Sequence, residues 1–289
     1  MGLFVQLLVN GLMSGGIYAM VASGFTLILG VMQVFNFAQG QFYMLGAFIT
    51  WGIVVSAGMP YILAIVAAAA VMALMGIVFH FVVIKWTLPN GFFHTMLITV
   101  AFSTVVSQTA LNTFANTSQQ VPSIVPGVLD LGGVTINFGR VLVIGGAIVV
   151  MVVLYYFMKT KIGTAMLAAS ENRDVAGLMG INAGQIFWVT MAVGAALCGI
   201  AGSLIVPVVG ASADMGTTVF IRAMLVILIG GTGSMAGALL AAFIVGIIES
   251  VAFQYVGTYN LLVVFGFTAI LMYFRPGGLL GKPLPIPGQ

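Results

Sequence analysis

The chain has 289 residues, 62% of them apolar and only 4% charged, whereas soluble domains average about 45–50% apolar and about 25% charged residues. Its 8 basic and 5 acidic side chains are too few to cover a soluble surface. The composition therefore indicates a membrane protein, and it excludes a disordered, a disulfide-rich secreted or a nucleic-acid-binding protein.

Nine apolar stretches, separated by glycine, proline and polar clusters, are candidate membrane segments. They cover residues 4–31, 40–57, 61–84, 94–115, 141–158, 186–209, 219–230, 237–256 and 259–274. Helices are expected because these stretches are apolar on every face, whereas a lipid-facing strand alternates apolar and polar residues. We therefore expect an all-α fold, a single polytopic transmembrane helical bundle over residues 1–289 with about eight or nine membrane segments.

Two of the stretches have unusual lengths. Residues 4–31 would form a helix of about 42 Å at about 1.5 Å per residue, longer than the roughly 30 Å of bilayer hydrocarbon. We expect this helix to tilt, kink or break, with residues 14–16 and Gly24 as the weak points. Residues 219–230 are too few to cross the bilayer, which predicts a re-entrant or half-span helix. If that segment does not cross, we expect the chain to compensate with a break within residues 4–31.

The basic residues indicate the orientation of the chain. Alternating the stretches across the bilayer places six of them on one side: Lys85, Lys159, Lys161, Arg173, Arg275 and Lys282. Arg140 falls on the other side. Because basic residues concentrate in cytoplasmic loops, we predict an external N-terminus and a cytoplasmic C-terminus. The loop 116–140 is then external, and it contains GGVTINF, a pattern typical of a short strand after a turn.

Three amide side chains lie close together in residues 34–42 (VFNFAQGQF). Amides at membrane depth are costly unless they are buried in protein or face water. Asn36, Gln39 and Gln41 are therefore candidates to line a translocation path. The alternative is a cytoplasmic turn that hinges at Gly40.

Glu249 is an acidic residue within the stretch 237–256. An ionised side chain near the bilayer centre costs on the order of 2.5–3.5 kcal/mol. Glu249 either faces a water-filled path, where it would couple transport to protons, or forms a structural pair with Arg222. Both residues are candidates for the translocation path.

The segment 159–185 holds five of the charged residues and is predicted to be cytoplasmic. Its core, residues 164–182 (TAMLAASENRDVAGLMGIN), is rich in helix formers, and Gly180 and Asn182 are plausible stops. One side of such a helix is apolar, through Leu167, Val175, Leu178 and Met179. This side would dock in a groove of a partner protein; the alternative is a solvated connecting loop.

The remaining motifs do not point to catalysis. Residues 230–237 are glycine-rich but lack the lysine of a phosphate-binding loop, which favours an inter-helix turn. The single Cys198 and the two histidines, His80 and His94 near the ends of stretches, do not form a metal or haem site. We therefore predict no catalytic, cofactor-binding or metal-binding residues.

Five segments of the chain together resemble one family. They are residues 10–24 (NGLMSGGIYAMVASG), 36–46 (NFAQGQFYMLG), 176–182 (AGLMGIN), 230–238 (GGTGSMAGA) and 275–281 (RPGGLLG). In this order they are similar to segments of the LivH-type permeases of branched-chain amino acid ABC transporters. Each motif alone is weak, but together they span nearly the whole chain.

The resemblance implies a type II importer-like bundle that is one membrane subunit of a bacterial inner-membrane importer. It implies three kinds of partner: a second, related permease; two cytoplasmic ATPase subunits that bind ATP and Mg²⁺; and a periplasmic solute-binding protein. The permease itself would then be no enzyme and would hold no cofactor. The residues that would transmit the motion of the ATPases are Glu171, Asn172, Arg173, Asp174, Ala176, Leu178, Gly180 and Ile181.

One departure from the family pattern leaves the substrate open. Many members show His and Glu where this chain has Gln39 and Gln41, and neutral amides change the local electrostatics. Branched-chain or hydrophobic amino acids, related amides, urea and aromatic acids are all candidate substrates. The rival hypothesis is a stand-alone ion- or proton-coupled secondary transporter that uses Glu249. A membrane-bound enzyme is disfavoured, because His, Asp and Glu are scarce.

Overall fold

The computed structural model describes residues 2–114, 117–121, 128–130 and 135–281. Its α-helices are α1 (Gly2–Met32), α2 (Gln39–Trp51), α3 (Tyr61–Phe79), α4 (Lys85–Thr87), α5 (Phe92–Phe114), α6 (Phe138–Met158), α7 (Lys161–Glu171), α8 (Arg173–Leu178), α9 (Ala183–Val209), α10 (Met215–Gly230), α11 (Met235–Val256) and α12 (Asn260–Phe274). Two π-helical turns, Gly52–Ser56 and His80–Ile84, extend α2 and α3. The predicted polytopic helical bundle is confirmed.

A small hairpin accompanies the helices in the predicted external loop. Strand β1 (Val128–Asp130) pairs antiparallel with β2 (Thr135–Asn137), with Leu129 opposite Ile136. The strand expected from GGVTINF is thus present as β2. It leads directly into α6, where the Asn137 side chain accepts a hydrogen bond from Gly139 N and caps the helix.

Within the described residues, six helical stretches are long and apolar enough to cross a membrane: Gly2–Met32, Tyr61–Asn90, Phe92–Phe114, Phe138–Met158, Ala183–Val209 and Met235–Phe274. The last has 40 residues, about 60 Å at about 1.5 Å per residue, which is twice the span of a bilayer. Its chain turns back at Gly257 (φ +60°), so that Asn260 Nδ2 reaches Glu249 Oε1 at 3.1 Å. The predicted count of eight or nine segments is not confirmed, since α2 and α10 are shorter helices.

Helix α1 is continuous from Gly2 to Met32, so the expectation of a break within residues 4–31 is wrong. The glycines of this helix are close-packing sites instead. A Cβ on Gly15 would lie 2.9 Å from Phe243 Cδ1, and a Cβ on Gly24 would lie 2.9 Å from the carbonyl oxygen of Gly194. Small residues allow helix backbones to approach closely, and neighbours on several sides keep α1 helical.

Contacts between named residues set the directions of the central helices. Helix α1 runs antiparallel to α11, because Gly11 lies against Ile247 and Gly15 against Phe243. Helix α10 also runs antiparallel to α11. Its contacts with that helix progress from Arg222–Glu249 to Gly230–Gly237.

Helix α2 runs parallel to α9 and antiparallel to α1. The Gln39 side chain bonds Gly194 O, and further along both helices Thr50 Oγ1 bonds Ser203 Oγ at 2.7 Å. A long helix followed by a short one therefore occurs twice, as α1–α2 and as α9–α10, with opposite orientations. The sequence shows no obvious repeat, so this inverted arrangement is a finding of the structure.

The two short helices meet at their N-terminal ends through glycine. A Cβ on Gly40 would clash with the carbonyl oxygen of Gly216, and a Cβ on Gly216 would lie 2.6 Å from the carbonyl oxygen of Gly40. Next to this crossing the rings of Phe37 and Phe220 pack with centroids 4.9 Å apart. The crossing places the start of α2 and the start of α10 in the protein interior.

The segment 159–185 forms two helices rather than the single one expected over 164–182. Asn172 separates α7 from α8 with extended backbone (φ −156°, ψ 110°), and its side-chain oxygen accepts from Val175 N at 3.1 Å. This capping bond offers the backbone an alternative to continuing the helix. Of the two predicted stops, Gly180 follows the end of α8 with φ +84°, whereas Asn182 caps the start of α9 instead.

Candidate functional site

Two of the three predicted path amides brace α2 against its neighbours. The Asn36 side chain is fully buried; its Oδ1 accepts from Ala38 N at 3.1 Å, and its Nδ2 lies 3.9 Å from Met191 Sδ. Gln39 is also fully buried, and its Nε2 donates to Gly194 O at 2.9 Å. Both side chains therefore tie the start of α2 to α9.

Gln41 differs from them because it lines a cavity. Its Nε2 donates to Ser103 Oγ on α5 at 3.0 Å, and its Oε1 is buried without a hydrogen-bond partner within the described chain. The cavity, of about 250 Å³, lies between α2, α5 and the start of α10. We call Asn36, Gln39 and Gln41 the amide cluster. The alternative of a turn that hinges at Gly40 is wrong in its hinge, because Gly40 lies inside α2 and the turn lies at residues 33–38.

Glu249 is 6% exposed and is the centre of a hydrogen-bonded cluster. Its Oε1 accepts from Arg222 Nε at 2.7 Å and from Asn260 Nδ2 at 3.1 Å, and its Oε2 accepts from Tyr18 OH at 2.5 Å. The expected pairing of Glu249 with Arg222 is therefore present in the structure. We call Tyr18, Arg222, Glu249 and Asn260 the ion-pair cluster. It connects α1, α10, α11 and α12.

A second cavity, of about 300 Å³, lies beside the ion-pair cluster. Arg222 and Tyr18 line it together with Tyr43 and Asp214. Glu249 is not among its lining residues. Of the two charged path candidates, the structure thus places Arg222 at a cavity and Glu249 behind it.

The predicted coupling segment presents apolar side chains at its surface. Leu178 is 87% exposed and Met179 79% exposed, and Val175 and Leu167 are each more than half exposed. Ala176 is buried and packs in a cluster with Met166 and Ile186, which holds α8 on the bundle. The expected apolar side of this segment is therefore present and uncovered in the isolated chain.

The other coupling candidates lie around this surface. Glu171 and Asn172 are exposed at the end of α7, Gly180 is exposed, and Ile181 is partly buried. Arg173 and Asp174 belong to α8, and their side chains lie outside the described residues. Glu171 also lines a surface groove of about 350 Å³ with Leu167, Thr232 and Ser234.

The glycine-rich residues 230–237 form the expected turn between α10 and α11. Gly231 and Gly233 have φ of +96° and +82°, which glycine adopts without steric cost. The tail after α12 packs on this turn, because Leu279 N donates to Ile229 O at 2.8 Å and Leu280 N donates to Gly230 O at 3.1 Å. These bonds satisfy carbonyl groups at the end of α10.

Sequence reasoning missed three partners of the candidate residues. Tyr18 and Asn260 bind Glu249 from helices that are distant in sequence, and no local pattern indicates such a meeting. The sequence does contain a pattern that indicates the position of Ser103. Ser103 repeats with Thr99 and Ser107 at four-residue spacing on α5, the spacing that puts polar residues on one helix face.

The whole-length similarities of the chain agree with this architecture. The family described as branched-chain amino acid transport system / permease component matches residues 7–274. The chain is 30% identical over 296 residues to the high-affinity branched-chain amino acid transport permease BraD of Pseudomonas aeruginosa, covering 97% of this chain and 96% of that protein. It is 26% identical over 309 residues to LivH of Escherichia coli K12, with the same coverages.

Among solved structures, PsaBC from Streptococcus pneumoniae in complex with Fab has a similar fold. The TM-score is 0.51 at 16% sequence identity, covering 95% of this chain and 92% of that one. This likeness concerns the fold alone. The chain belongs to the family of branched-chain amino acid transport permeases.

Proposed function

We propose that this permease moves a small, largely apolar amino acid across the bacterial inner membrane, driven by ATP hydrolysis on separate cytoplasmic subunits. The observation that carries the proposal is the similarity along 97% of the chain to permeases named for branched-chain amino acid transport. The inverted helix pairs α1–α2 and α9–α10 support it, because many transporters are built from inverted repeats with short helices that meet near the substrate site.

The surface of α7 and α8 supports a role in coupling. Leu178 and Met179 are largely exposed at the end of α8, and Glu171 and Leu167 of α7 line a surface groove. Apolar side chains exposed next to charges are typical of a docking surface for another protein. In this proposal the partner is one of two ATPase subunits. A second, related permease and an external solute-binding protein complete the importer.

The proposal includes the orientation predicted from the basic residues. The N-terminus is external, and α7, α8 and the tail after α12 are cytoplasmic. The groove beside Glu171 is then accessible to the ATPase subunits. Glu249 gives no support to a stand-alone secondary transporter, since both of its oxygens are engaged by Tyr18, Arg222 and Asn260.

The test is uptake of labelled leucine into proteoliposomes that contain both permeases and the ATPases, with the binding protein added. Leu178→Asp is expected to lower uptake and substrate-stimulated ATP hydrolysis about tenfold, the effect of losing roughly 1.4 kcal/mol of docking energy. The double variant Glu171→Ala/Arg173→Ala should lower both activities with normal membrane insertion. Lys161→Ala, an exposed change at the other end of α7, is the matched control.

Two outcomes would contradict the proposal. Full activity of both coupling variants would remove α7 and α8 from the mechanism. Uphill uptake by the isolated permease, without any ATPase, would favour the secondary transporter.

A further inference from the structure

The cavity beside Gln41 has walls of an unusual composition for the interior of a membrane protein. Its polar wall consists of hydroxyl and amide groups from Gln41, Ser103, Thr104, Ser107, Gln108 and Thr217. The rest of the lining is apolar and consists of Val100 and the aromatic rings of Phe37 and Phe220. Of the described residues that line it, not one carries a formal charge.

The side chain of Gln41, which lines this cavity, carries a strong hydrogen-bond acceptor that has no partner within the described chain. Gln41 is 1% exposed, its amide nitrogen is used by Ser103, and its Oε1 is unpaired within the described chain. A buried acceptor without a partner is costly. This oxygen is closed to solvent in the structure, and a rotation of the Gln41 amide toward the cavity would let the N–H group of a ligand satisfy it.

The depth of the cavity fits a position along a transport path. Ser103 is the central residue of α5 (Phe92–Phe114), and Gln41 and Thr217 lie in the first turns of the two short helices that meet at Gly40 and Gly216. Sites where such short helices meet are typical positions for substrates in transporters.

The exposed face of α5 is more polar than the exposed face of α3. Thr104, Gln108 and Asn112 are exposed at four-residue spacing, and an amide side chain in contact with hydrocarbon is costly. By contrast, the exposed face of α3 carries Ile62, Val66 and Leu74. The α5 face also carries the exposed Leu97 and Val105, but its polar groups make it better suited than the α3 face to border water or protein.

Because its wall is neutral, the cavity disfavours a ligand that carries a net charge. A solute with a net charge would lose its hydration here without meeting an opposite charge, which is strongly unfavourable. The cost of losing hydration is lower for a zwitterion or an uncharged amide, because hydroxyl groups and the Gln41 oxygen can form hydrogen bonds with its polar groups.

We propose that this cavity is a transient binding site for a solute without net charge, and that Gln41 Oε1 accepts a hydrogen bond from the solute's N–H group. This inference rests on the proposed function and deepens it. The N–H group belongs either to the ammonium of a zwitterionic amino acid or to a neutral amide, and the experiment distinguishes the two.

The first experiment tests whether water reaches the cavity. In the assembled importer, Thr104→Cys and Ser107→Cys should react with a charged, membrane-impermeant thiosulfonate at least about tenfold faster than Leu74→Cys on the α3 face, because such a reagent partitions poorly into hydrocarbon. The native chain gives the background, since Cys198 is buried. Equal, slow labelling of all three variants would overturn the proposal.

The second arm tests the acceptor. Uptake of labelled L-leucine and of labelled acetamide is measured for the native importer, for Gln41→Leu, and for Gln254→Leu, an exposed amide on α11. Gln41→Leu should lower uptake of the transported solute about three- to tenfold, the effect of one hydrogen bond, while Gln254→Leu leaves it unchanged. A loss confined to leucine identifies the ammonium, and a loss confined to acetamide identifies the amide.

The failures of the two proposals are distinguishable. If the native importer carries neither solute, the proposed function fails, and the labelling arm still decides whether the cavity is wet. If native uptake is normal and Gln41→Leu, inserted and folded, matches it, the binding site is refuted while the function stands.

Discussion

Two polar clusters lie inside the same apolar bundle, and their hydrogen bonding differs. In the ion-pair cluster, Glu249 accepts from Tyr18, Arg222 and Asn260, so both carboxylate oxygens are engaged. In the amide cluster, the side-chain oxygens of Gln39 and Gln41 are buried without a partner within the described chain. The cluster that carries charge is thus saturated, and the neutral one is not.

This difference separates two roles for polar groups in a membrane interior. Charges are too costly to leave unpaired, so Glu249 pairs with Arg222 Nε and, with Tyr18 and Asn260, holds four helices together. An unpaired neutral acceptor costs less, so the Gln41 side-chain oxygen can remain unpaired until a solute binds to it. A conspicuous acidic residue in an apolar stretch is therefore a structural anchor here, and the less conspicuous amide is the better candidate for contact with substrate.

The largest expected effect concerns Glu249→Leu. This change leaves the half-buried Arg222 guanidinium without its partner and should lower the free energy of unfolding by about 3 kcal/mol, the lower end of the range for a buried pair. Unfolding in detergent micelles, followed by tryptophan fluorescence, measures it. The double variant Arg222→Met/Glu249→Leu should recover most of the loss, because no charge is then orphaned. A single variant as stable as the native chain would remove the structural role and reopen proton coupling.

A smaller effect is expected where the short helices cross. The methyl group of Gly216→Ala would lie 2.6 Å from the Gly40 carbonyl oxygen, and overpacking of this kind costs about 1–3 kcal/mol. Gly266→Ala on α12 is the matched control, because nothing lies within 4 Å of its added Cβ and we expect a change within about 0.5 kcal/mol. Equal stability of the two variants would show that the crossing is not tightly packed.

The smallest effect on stability is expected at Gln41→Leu. The change removes one hydrogen bond to Ser103 but also removes an unpaired buried acceptor, so the free energy of unfolding should change by less than about 1 kcal/mol. The same unfolding measurement applies. A loss as large as that of Glu249→Leu would make the amide cluster a second anchor and erase the contrast between the clusters.

Local patterns predicted the helices well and their meeting points poorly. Continuous apolar stretches identified α5, α6 and α9, and Gly180 marked the end of the preceding segment, because hydrophobicity and backbone preference act over neighbouring residues. The break at Asn172 was missed, since a single side-chain bond to Val175 N decides it against good helix formers. The break expected in α1 was wrong, because its glycines pack against neighbouring helices instead of bending the chain.

The site itself was predicted only in part. Asn36, Gln39 and Gln41 were correctly expected to be protected from lipid, since an amide has few stable surroundings at membrane depth. Which of them lines a cavity depends on the register of α2 against α5 and α10, and no local pattern encodes that register. The pairing of Glu249 with Arg222 was foreseeable from the cost of isolated charge, whereas its bonds to Tyr18 and Asn260 depend on the tertiary fold.

The crossing of Gly40 with Gly216 limits how such a permease can diversify. Two main chains touch there with no side chain between them, so a replacement at either position must push a helix aside. The α5 side of the neighbouring cavity is different, because Thr104 and Gln108 are exposed and can be exchanged without disturbing the interior. Substitutions that change solute preference should therefore disturb the fold least when they lie on α5. This makes α5 the natural target for engineering selectivity.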